Sequence, residues 1–491
     1  MSQLPPSQPS SRREHVHGLV DAFFDRDTFK DQMQTADMLK NMLRADHPFQ
    51  KPASLLPDDE IELRYDFAKQ LEKKIQMSDS SFRLNAAHVS VILTVPLSAL
   101  GNGGWLSPKD TDSITLEQKL NGMLNLVKHF TQNFTNKGFG KLSISASRTN
   151  SRKSQRTSRS GSARRQDDPD EDWVPDDANR NPTEKNLCRD RDRHACVVMS
   201  TANPEVCHIV PFAWNENQKT IKKTQSVLTG CQAFFGNEWF EEYLPYLAKS
   251  DNPGGSDKYW NMLCLNRQLH FWWAQKFLAF KCLGITSGTN NTSTVEFQFN
   301  WMLRDKRNPK QEMQLYGDNN DFMKMVERVK DFNAEGNPAH VSLDKLGQVA
   351  ATRVDSGIPI RSGHVFYVVM PDKDALKFKA MMDLQWACIV VAGMSGAAGS
   401  PDLLIDPDDD ELELRTESWV AQQARQSLQR QRHDHRPEPR EHSEPLALRP
   451  ITNRPARNDS PTKQSQRTQQ SQISEQASRV VEQPENTRLD Q

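Results

Sequence analysis

Two histidines and one asparagine between positions 187 and 285 are the residues of this sequence best suited to chemistry. They are His208, Asn261 and His270. A histidine can take a proton from water near neutral pH, and a second histidine can hold a divalent ion that stabilises charge building on a phosphate. The asparagine side chain can orient the first imidazole or brace the loop that carries it. The trio therefore indicates metal-assisted hydrolysis of a phosphodiester bond.

Short strands and one helix are expected to position these side chains. Residues 206–210 have the pattern of a strand that Pro211 ends, and Met262–Leu265 has the pattern of a second strand. Asn266 is a good N-cap for a helix that holds the second histidine one turn inside. Residues 277–283 predict a further strand. A hairpin packed against the helix would bring the trio to one place.

The N-terminal part of the chain is expected to be helical. Apolar residues recur at helical spacing in residues 61–75 and again in residues 116–130. Asp58 and Asp59 are the expected caps of the first helix, and a capping box that begins at Thr115 is expected to start the second. These faces predict a core and no chemistry.

Residues 294–398 combine strand and helix signals. Apolar residues alternate over 295–301, which is typical of a strand with one buried face. Residues 364–370 predict another strand, and Asp374 can cap a helix after it. No internal repeat is visible.

Composition excludes several classes of protein. The chain has 491 residues, with 63 Lys and Arg against 64 Asp and Glu, so it is not a uniformly basic nucleic-acid coat. Its most apolar run, residues 89–100, is interrupted by polar residues and is shorter than the ~20 residues that span a membrane. No secretory signal is visible at the N-terminus. Seven cysteines without dense spacing suit a reducing compartment, so we expect an intracellular protein of the nucleus or cytoplasm.

Two stretches are expected to be disordered. In residues 146–180 a basic block, 148–165, is followed by an acidic block, 167–177, as in a charged linker. The basic block suits a solvated spacer, a nuclear import signal or a sequence-independent phosphate contact. Residues 401–491 are polar and poor in aromatic residues, which predicts a disordered tail, with a short helix at 417–428.

The central stretch resembles the HNH nuclease domain, a ββα-metal fold, in the form found in filamentous fungi. That family reads R-D-x-x-x-C-V-x-T-G, then A/C-H-I-x-P-F, then N-x-x-x-L-x-x-x-x-H. This sequence matches it with Arg191-Asp192…Cys196-Val197-Val198, with Cys207-His208-Ile209-Val210-Pro211-Phe212 and with Asn261…Leu265…His270.

The resemblance implies a metal-dependent endonuclease and a role for each site residue. His208 would be the general base, Asn261 the orienting catalytic residue, and His270 and Cys207 the metal ligands. The cofactor would be one divalent ion, Mg²⁺ or Mn²⁺, with Zn²⁺ admitted by the thiol. The partner would be nucleic acid, DNA or RNA, with DNA ranked first.

The sequence departs from the family pattern at three points. Cys207 stands where many relatives have a carboxylate or histidine ligand, and a thiol suits soft ions better than Mg²⁺. Trp273 stands where many relatives have an aspartate. The long segment between His208 and Asn261 carries Asp257, which could serve as a substitute ligand. The alternative function is therefore a catalytically inactive HNH-fold module that binds nucleic acid or protein.

Basic residues before the first strand predict a contact with phosphate, for which plain solvation is the alternative. They are Arg189, Arg191, Arg193 and His194. The cysteines raise the question of zinc, but no C-x-x-C pair occurs, so a structural zinc ribbon is not expected.

The expected fold class is α+β, with an HNH-like ββα-metal core, a helical N-terminal region, a mixed α/β C-terminal extension and long disordered segments. The expected regions are a mainly helical part at 1–145 whose first dozen or so residues are disordered, the linker at 146–180, an HNH nuclease-like domain at 181–290, the α/β extension at 291–400 and the tail at 401–491.

Overall fold

A computed structural model describes residues 9–25, 33–44, 48–135, 181–334, 349–400 and 404. The predicted linker at 146–180 lies outside the described residues. So does the predicted tail at 401–491, apart from residue 404, together with its predicted helix. The interpretations of those stretches stay predictions.

Helices and short antiparallel strands make up the described chain. Its α-helices are α1 (Pro9–Phe24), α2 (Met33–Arg44), α3 (Ile61–Ile75), α4 (Ala86–Thr94), α5 (Leu97–Leu100), α6 (Ser113–Thr135), α7 (Pro182–Arg191), α8 (Gln218–Val227), α9 (Cys231–Phe235), α10 (Asn237–Ala248), α11 (Arg267–Ala274), α12 (Asp321–Ala334) and α13 (Asp372–Ser395). Its strands are β1 (Glu205–His208), β2 (Met262–Leu265), β3 (Leu278–Ser287), β4 (Thr292–Trp301) and β5 (Val365–Pro371). The expected mixture of helix and strand is confirmed.

The predicted N-terminal helices are present, but their starts differ from the prediction. A 3₁₀ turn, Asp58–Glu60, leads into α3, whose N-cap residue Glu60 makes no side-chain cap bond. In α6 the cap bond is made by Asp112, whose Oδ1 accepts from the Thr115 backbone N–H at 2.9 Å. The helix starts two residues before Thr115, so the predicted capping box is wrong.

Strands β3, β4 and β5 form one antiparallel sheet in that order, and α13 packs against it. The face of β4 that was predicted to be buried is buried at Val295, Phe297, Phe299 and Trp301, but the opposite face is buried as well at Gln298 and Asn300, so burial alternates only before Phe297. Asp374 is the third residue of α13 rather than its cap, and it accepts a hydrogen bond from the Tyr259 hydroxyl at 2.6 Å.

The predicted hairpin is formed by β1 and β2, which pair antiparallel with His208 opposite Met262 and Glu205 opposite Leu265. The bounds of β2 are those predicted. Strand β1 starts one residue before the predicted strand and ends at His208, two residues earlier than predicted, although the Ile209 N–H still donates to the backbone carbonyl of Asn261. Helices α8, α9 and α10 fill the segment between the two strands.

Helix α11 follows the hairpin directly. The Asn266 side chain caps it by accepting from the Gln268 N–H at 2.9 Å, as predicted. Leu269 and Trp273 on this helix are fully buried, which joins it to the main core. Within the described residues, no helix is long and apolar enough to cross a membrane.

Candidate active site

His208 lies at the C-terminal end of β1 in an enclosed position. Its side chain is 5% exposed, and its Nε2 lies 2.9 Å from Oδ1 of Asp257, which is also 5% exposed. An ionised carboxylate only accepts hydrogen bonds, so the imidazole must carry its proton on Nε2. In the neutral imidazole the lone pair is then on Nδ1. The Phe212 ring lies against the imidazole, with centroids 5.7 Å apart.

Asn261 is fully buried and braces the chain that follows His208. Its Oδ1 accepts from the Val210 N–H at 2.9 Å, and its Nδ2 donates to the Val210 carbonyl at 2.9 Å and to the Ser256 carbonyl at 3.1 Å. Of the two roles considered for this side chain, the geometry favours bracing the loop over orienting the imidazole.

His270 lies on α11 at the other end of the hairpin, where solvent can reach it. Its side chain is 24% exposed, and Nδ1 donates to Oε2 of Glu205 at 2.8 Å. Glu205 is 39% exposed, and its Oε1 lies 3.6 Å from Nε of Arg267. Glu205 was not predicted as a site residue. Its proximity to His208 in the sequence was the available signal.

Cys207 does not suit the ligand role predicted for it. It is 1% exposed and packs in the main core, and its thiol donates to the Glu205 carbonyl. Burial raises the pKa of this thiol well above its ordinary value, so it stays protonated, whereas a metal binds the thiolate. Alternation along the strand also places the side chains of Cys207 and His208 on opposite faces.

The two histidines, which the sequence analysis expected at one place, belong to separate pairs at opposite ends of the hairpin. His208 pairs with Asp257 beside Met262, and His270 pairs with Glu205 beside Leu265, because Glu205 begins β1 and His208 ends it.

Among the described residues, only one group brings three ligand atoms of His, Cys, Asp or Glu within 4.8 Å of one another, and it is Cys188, Asp192 and Cys264. The carboxylate of Asp192 is already engaged by Arg191 and by the Cys264 N–H. The hydrogen bond with Cys264 and burial raise the pKa of the Cys188 thiol. This group therefore fits a packed core contact better than a metal site.

Arg191 does not lie on the surface, where the predicted contact with nucleic acid would require it. Its side chain is 5% exposed and forms a fork on Asp192, with Nε 2.7 Å from Oδ1 and Nη2 2.9 Å from Oδ2. Its Nη2 also donates to the Met262 carbonyl at 2.8 Å, which ties α7 to β2. Arg193 and His194 lie on the surface, and Arg189 is half-buried.

A cavity of about 350 Å³ lies beside the His208 pair. Asp257 and Phe212, which both contact the imidazole, form part of its wall. Its other lining residues are Asn181, Glu216, Pro253, Gly254 and Lys258. His208 itself is not among the lining residues, so the cavity reaches the pair at Asp257 and Phe212.

The family comparison bears on this part of the chain. Residues 196–281 match the HNH endonuclease family model. The matched segment contains β1, β2 and α11, with all three residues of the predicted trio, and it supports an HNH nuclease domain at these positions. It covers less than a fifth of the chain. Comparisons with curated proteins and with solved structures gave no match.

HNH endonucleases generally use a divalent metal, and the residues around His270 fit one ligand of such a site. Metal-binding histidines usually donate one ring N–H to a carboxylate, which fixes the ring and leaves the other nitrogen as the ligand. His270 donates Nδ1–H to Glu205 in this way. Its partial exposure lets an ion approach from solution.

Proposed function

We propose that residues 196–281 form a metal-dependent endonuclease domain that hydrolyses phosphodiester bonds in nucleic acid, with DNA as the first substrate to test and RNA as the second. The observation that carries the proposal is a buried histidine, His208, held by a carboxylate at the end of a strand within the segment that matches the HNH model. A fixed imidazole with its lone pair on Nδ1 is suited to general-base catalysis.

In this proposal His208 takes the proton of the water that attacks phosphorus. Asn261 supports this step indirectly, because its three hydrogen bonds hold the backbone on either side of the base. The exposed Arg193 and His194 are placed to contact phosphates elsewhere on the substrate without reading its sequence.

His270 would hold the metal ion, with Glu205 fixing the ring. The ion, when bound, would stabilise the negative charge that builds on the phosphate and the leaving oxygen. Mg²⁺, Mn²⁺ and Zn²⁺ are the ions to test, because an imidazole ligand suits transition ions while carboxylate and water suit Mg²⁺.

A second candidate function is a non-catalytic HNH-fold module that binds nucleic acid. Two observations favour it: the buried thiol of Cys207 at a position where a ligand is expected, and the pairing of the two histidines with different carboxylates. In that case binding would persist without hydrolysis.

Cleavage of a supercoiled plasmid by the purified full chain tests the proposal. We expect nicking with at least one of the three ions, none with a chelator, and a loss of about 10²–10⁴-fold in His208→Gln. Glutamine can still donate to Asp257 but has no basic nitrogen, so the variant separates catalysis from packing. Single-stranded RNA is tested in parallel.

No cleavage with any ion, or unchanged cleavage by His208→Gln, would refute the endonuclease proposal. A gel-shift measurement on the same samples identifies the second candidate, for which a retarded plasmid without cleavage is the expected result.

A further inference from the structure

None of the three family motifs supplies the residue that holds the His208 ring. The Asn261 side-chain amide makes its hydrogen bonds with the backbone of Val210 and Ser256, so another side chain must hold the His208 ring. The side chain that touches the ring nitrogen is Asp257, through Oδ1 at 2.9 Å. It lies outside the three matched motifs, in the segment that separates the hairpin strands.

We propose that Asp257 is the positioning residue for His208, an inference that rests on the proposed function of that histidine. Asp257 would keep the proton on Nε2 and the lone pair on Nδ1. It would also balance the positive charge that the imidazole gains when it takes a proton from water. The carboxylate itself stays ionised throughout.

Asp257 is itself held rigidly. Its Oδ2 accepts from the Asn181 backbone N–H at 2.6 Å, next to the start of α7, and its own N–H donates to the Gly254 carbonyl at 2.9 Å. The following residues are tied to the same helix, because Glu184 accepts from Lys258 Nζ at 2.8 Å and from the Tyr259 N–H at 3.1 Å. A carboxylate fixed at both oxygens gives the imidazole one orientation.

These contacts also decide between positioning and the substitute-ligand role considered for Asp257. Both carboxylate oxygens already accept hydrogen bonds, one from His208 and one from Asn181. In the described part of the chain, Asp257 belongs to no group of three ligand atoms within 4.8 Å. A metal ion would have to displace the imidazole or the backbone donor.

The substitution Asp257→Asn gives a sharp test, because two donors face this side chain. The Asn181 N–H cannot change, so the new amide oxygen should accept from it. The amide NH₂ would then face His208 Nε2, and the imidazole should move its proton to Nδ1. The lone pair would leave the nitrogen that the base needs, while the volume of the side chain is unchanged.

The experiment combines ¹⁵N NMR of the histidine-labelled full chain with single-turnover cleavage of plasmid DNA. His208→Gln assigns the His208 signals, and Asp251→Asn, an exposed position in the same loop, is the matched control. We expect the Nε2–H form of neutral His208 in wild type and in the control. In Asp257→Asn we expect the Nδ1–H form and a rate at least about 10²-fold lower, with the substrate concentration for half-maximal rate within about twofold.

An Nδ1–H form in wild type overturns the proposal, even if Asp257→Asn fails to fold. So does an unchanged tautomer in a folded Asp257→Asn, or a variant that changes substrate binding but not the rate. If wild type shows no cleavage, the endonuclease proposal fails, and the NMR measurement still decides whether Asp257 holds the ring.

Discussion

At one end of the β1–β2 hairpin, His208 and Asp257 are each 5% exposed, whereas at the other end His270 and Glu205 are 24% and 39% exposed. Both ends join an imidazole to a carboxylate at 2.8–2.9 Å. Burial fixes orientation, which a proton-transfer group needs, and exposure allows exchange with solution, which a metal ligand needs. The same pair of residue types is thus suited to different tasks by its surroundings.

The asparagines that flank β2 show the same contrast. Asn261, before the strand, is fully buried and makes three hydrogen bonds to backbone groups. Asn266, after the strand, caps α11 and donates to the Thr201 hydroxyl at 3.2 Å. The enclosed end of the hairpin therefore depends on backbone bracing, and the open end on an ordinary helix cap.

Replacing these two asparagines should give the largest difference between the two ends of the hairpin, and the difference is in the free energy of unfolding. Asn261→Ala leaves buried backbone groups at Val210 and Ser256 without partners, at ~1–3 kcal/mol each, so we expect a loss of about 3 kcal/mol or more. Asn266→Ala removes an N-cap, which costs about 1 kcal/mol. Urea unfolding of both variants measures the difference, and equal losses would contradict the comparison.

Acid should destabilise the protein through histidines that lie away from both ends. Burial lowers the pKa of His88 to about 4 and that of His129 to about 3. The unfolded chain takes up these protons below pH ~6.5 while the folded chain does not, so stability is lost as pH falls from there toward about 4. We expect a loss of about 2 kcal/mol per histidine between pH 7 and pH 5.

Urea unfolding at the two pH values checks this, with His88→Gln as the variant in which the loss should shrink. His88 accepts from the Asn85 N–H and pairs with Asn121, contacts that glutamine can partly replace. If His88→Gln loses as much stability between pH 7 and pH 5 as wild type does, His88 is not a source of the acid sensitivity.

Removing the carboxylate at the open end should weaken metal binding. Glu205→Ala leaves His270 without the acceptor that fixes its ring, and the loss of such a partner typically costs ~10–100-fold in metal affinity. Arg267→Ala is the control, because it removes a charge 3.6 Å from the same carboxylate and leaves the carboxylate itself in place. Calorimetric titration with Mn²⁺ compares the variants, and an equal affinity for wild type and Glu205→Ala would show that Glu205 does not support a ligand.

Replacing the exposed Arg193 should have the smallest effect, and the effect is on the salt dependence of DNA binding. Arg193→Ala removes one exposed charge near the start of the domain, so the slope of log affinity against log salt on duplex DNA should fall by ~0.9. Lys73→Ala on α3 is the control for an unrelated surface charge. Fluorescence anisotropy over a range of salt concentrations measures the slopes, and a shift equal to that of the control would remove Arg193 from the binding surface.

Local signals in the sequence predicted the parts of the site that depend on local physics. Strand β2 and the Asn266 cap follow from a short apolar run and a capping residue, and both lie where predicted. The alternation in β4 predicted its buried face for the same reason. The start of α6 was less predictable, because Asp112 and Thr115 both offer an acceptor to the first turn and only one of them is used.

The contacts made by partners from distant parts of the chain were not predictable, although Asp257 was considered as a substitute ligand. Asp257 lies 49 positions from His208, and Glu205 lies 65 positions from His270. Arg191 lies among charged residues that look solvated in the sequence, but the fold encloses it with Asp192. In each case the contact depends on how the hairpin and α7 pack, which residue types alone do not reveal.

The central proposal is that His208 is the general base and His270 is the metal ligand. Mn²⁺ calorimetry and single-turnover plasmid cleavage on His208→Gln and His270→Ala test it most directly. We expect His208→Gln to bind Mn²⁺ like wild type and to lose about 10²–10⁴-fold in rate. His270→Ala should lose both binding and cleavage, because a ligand gives its lone pair to the ion. Loss of Mn²⁺ binding in His208→Gln with normal binding in His270→Ala would contradict the account.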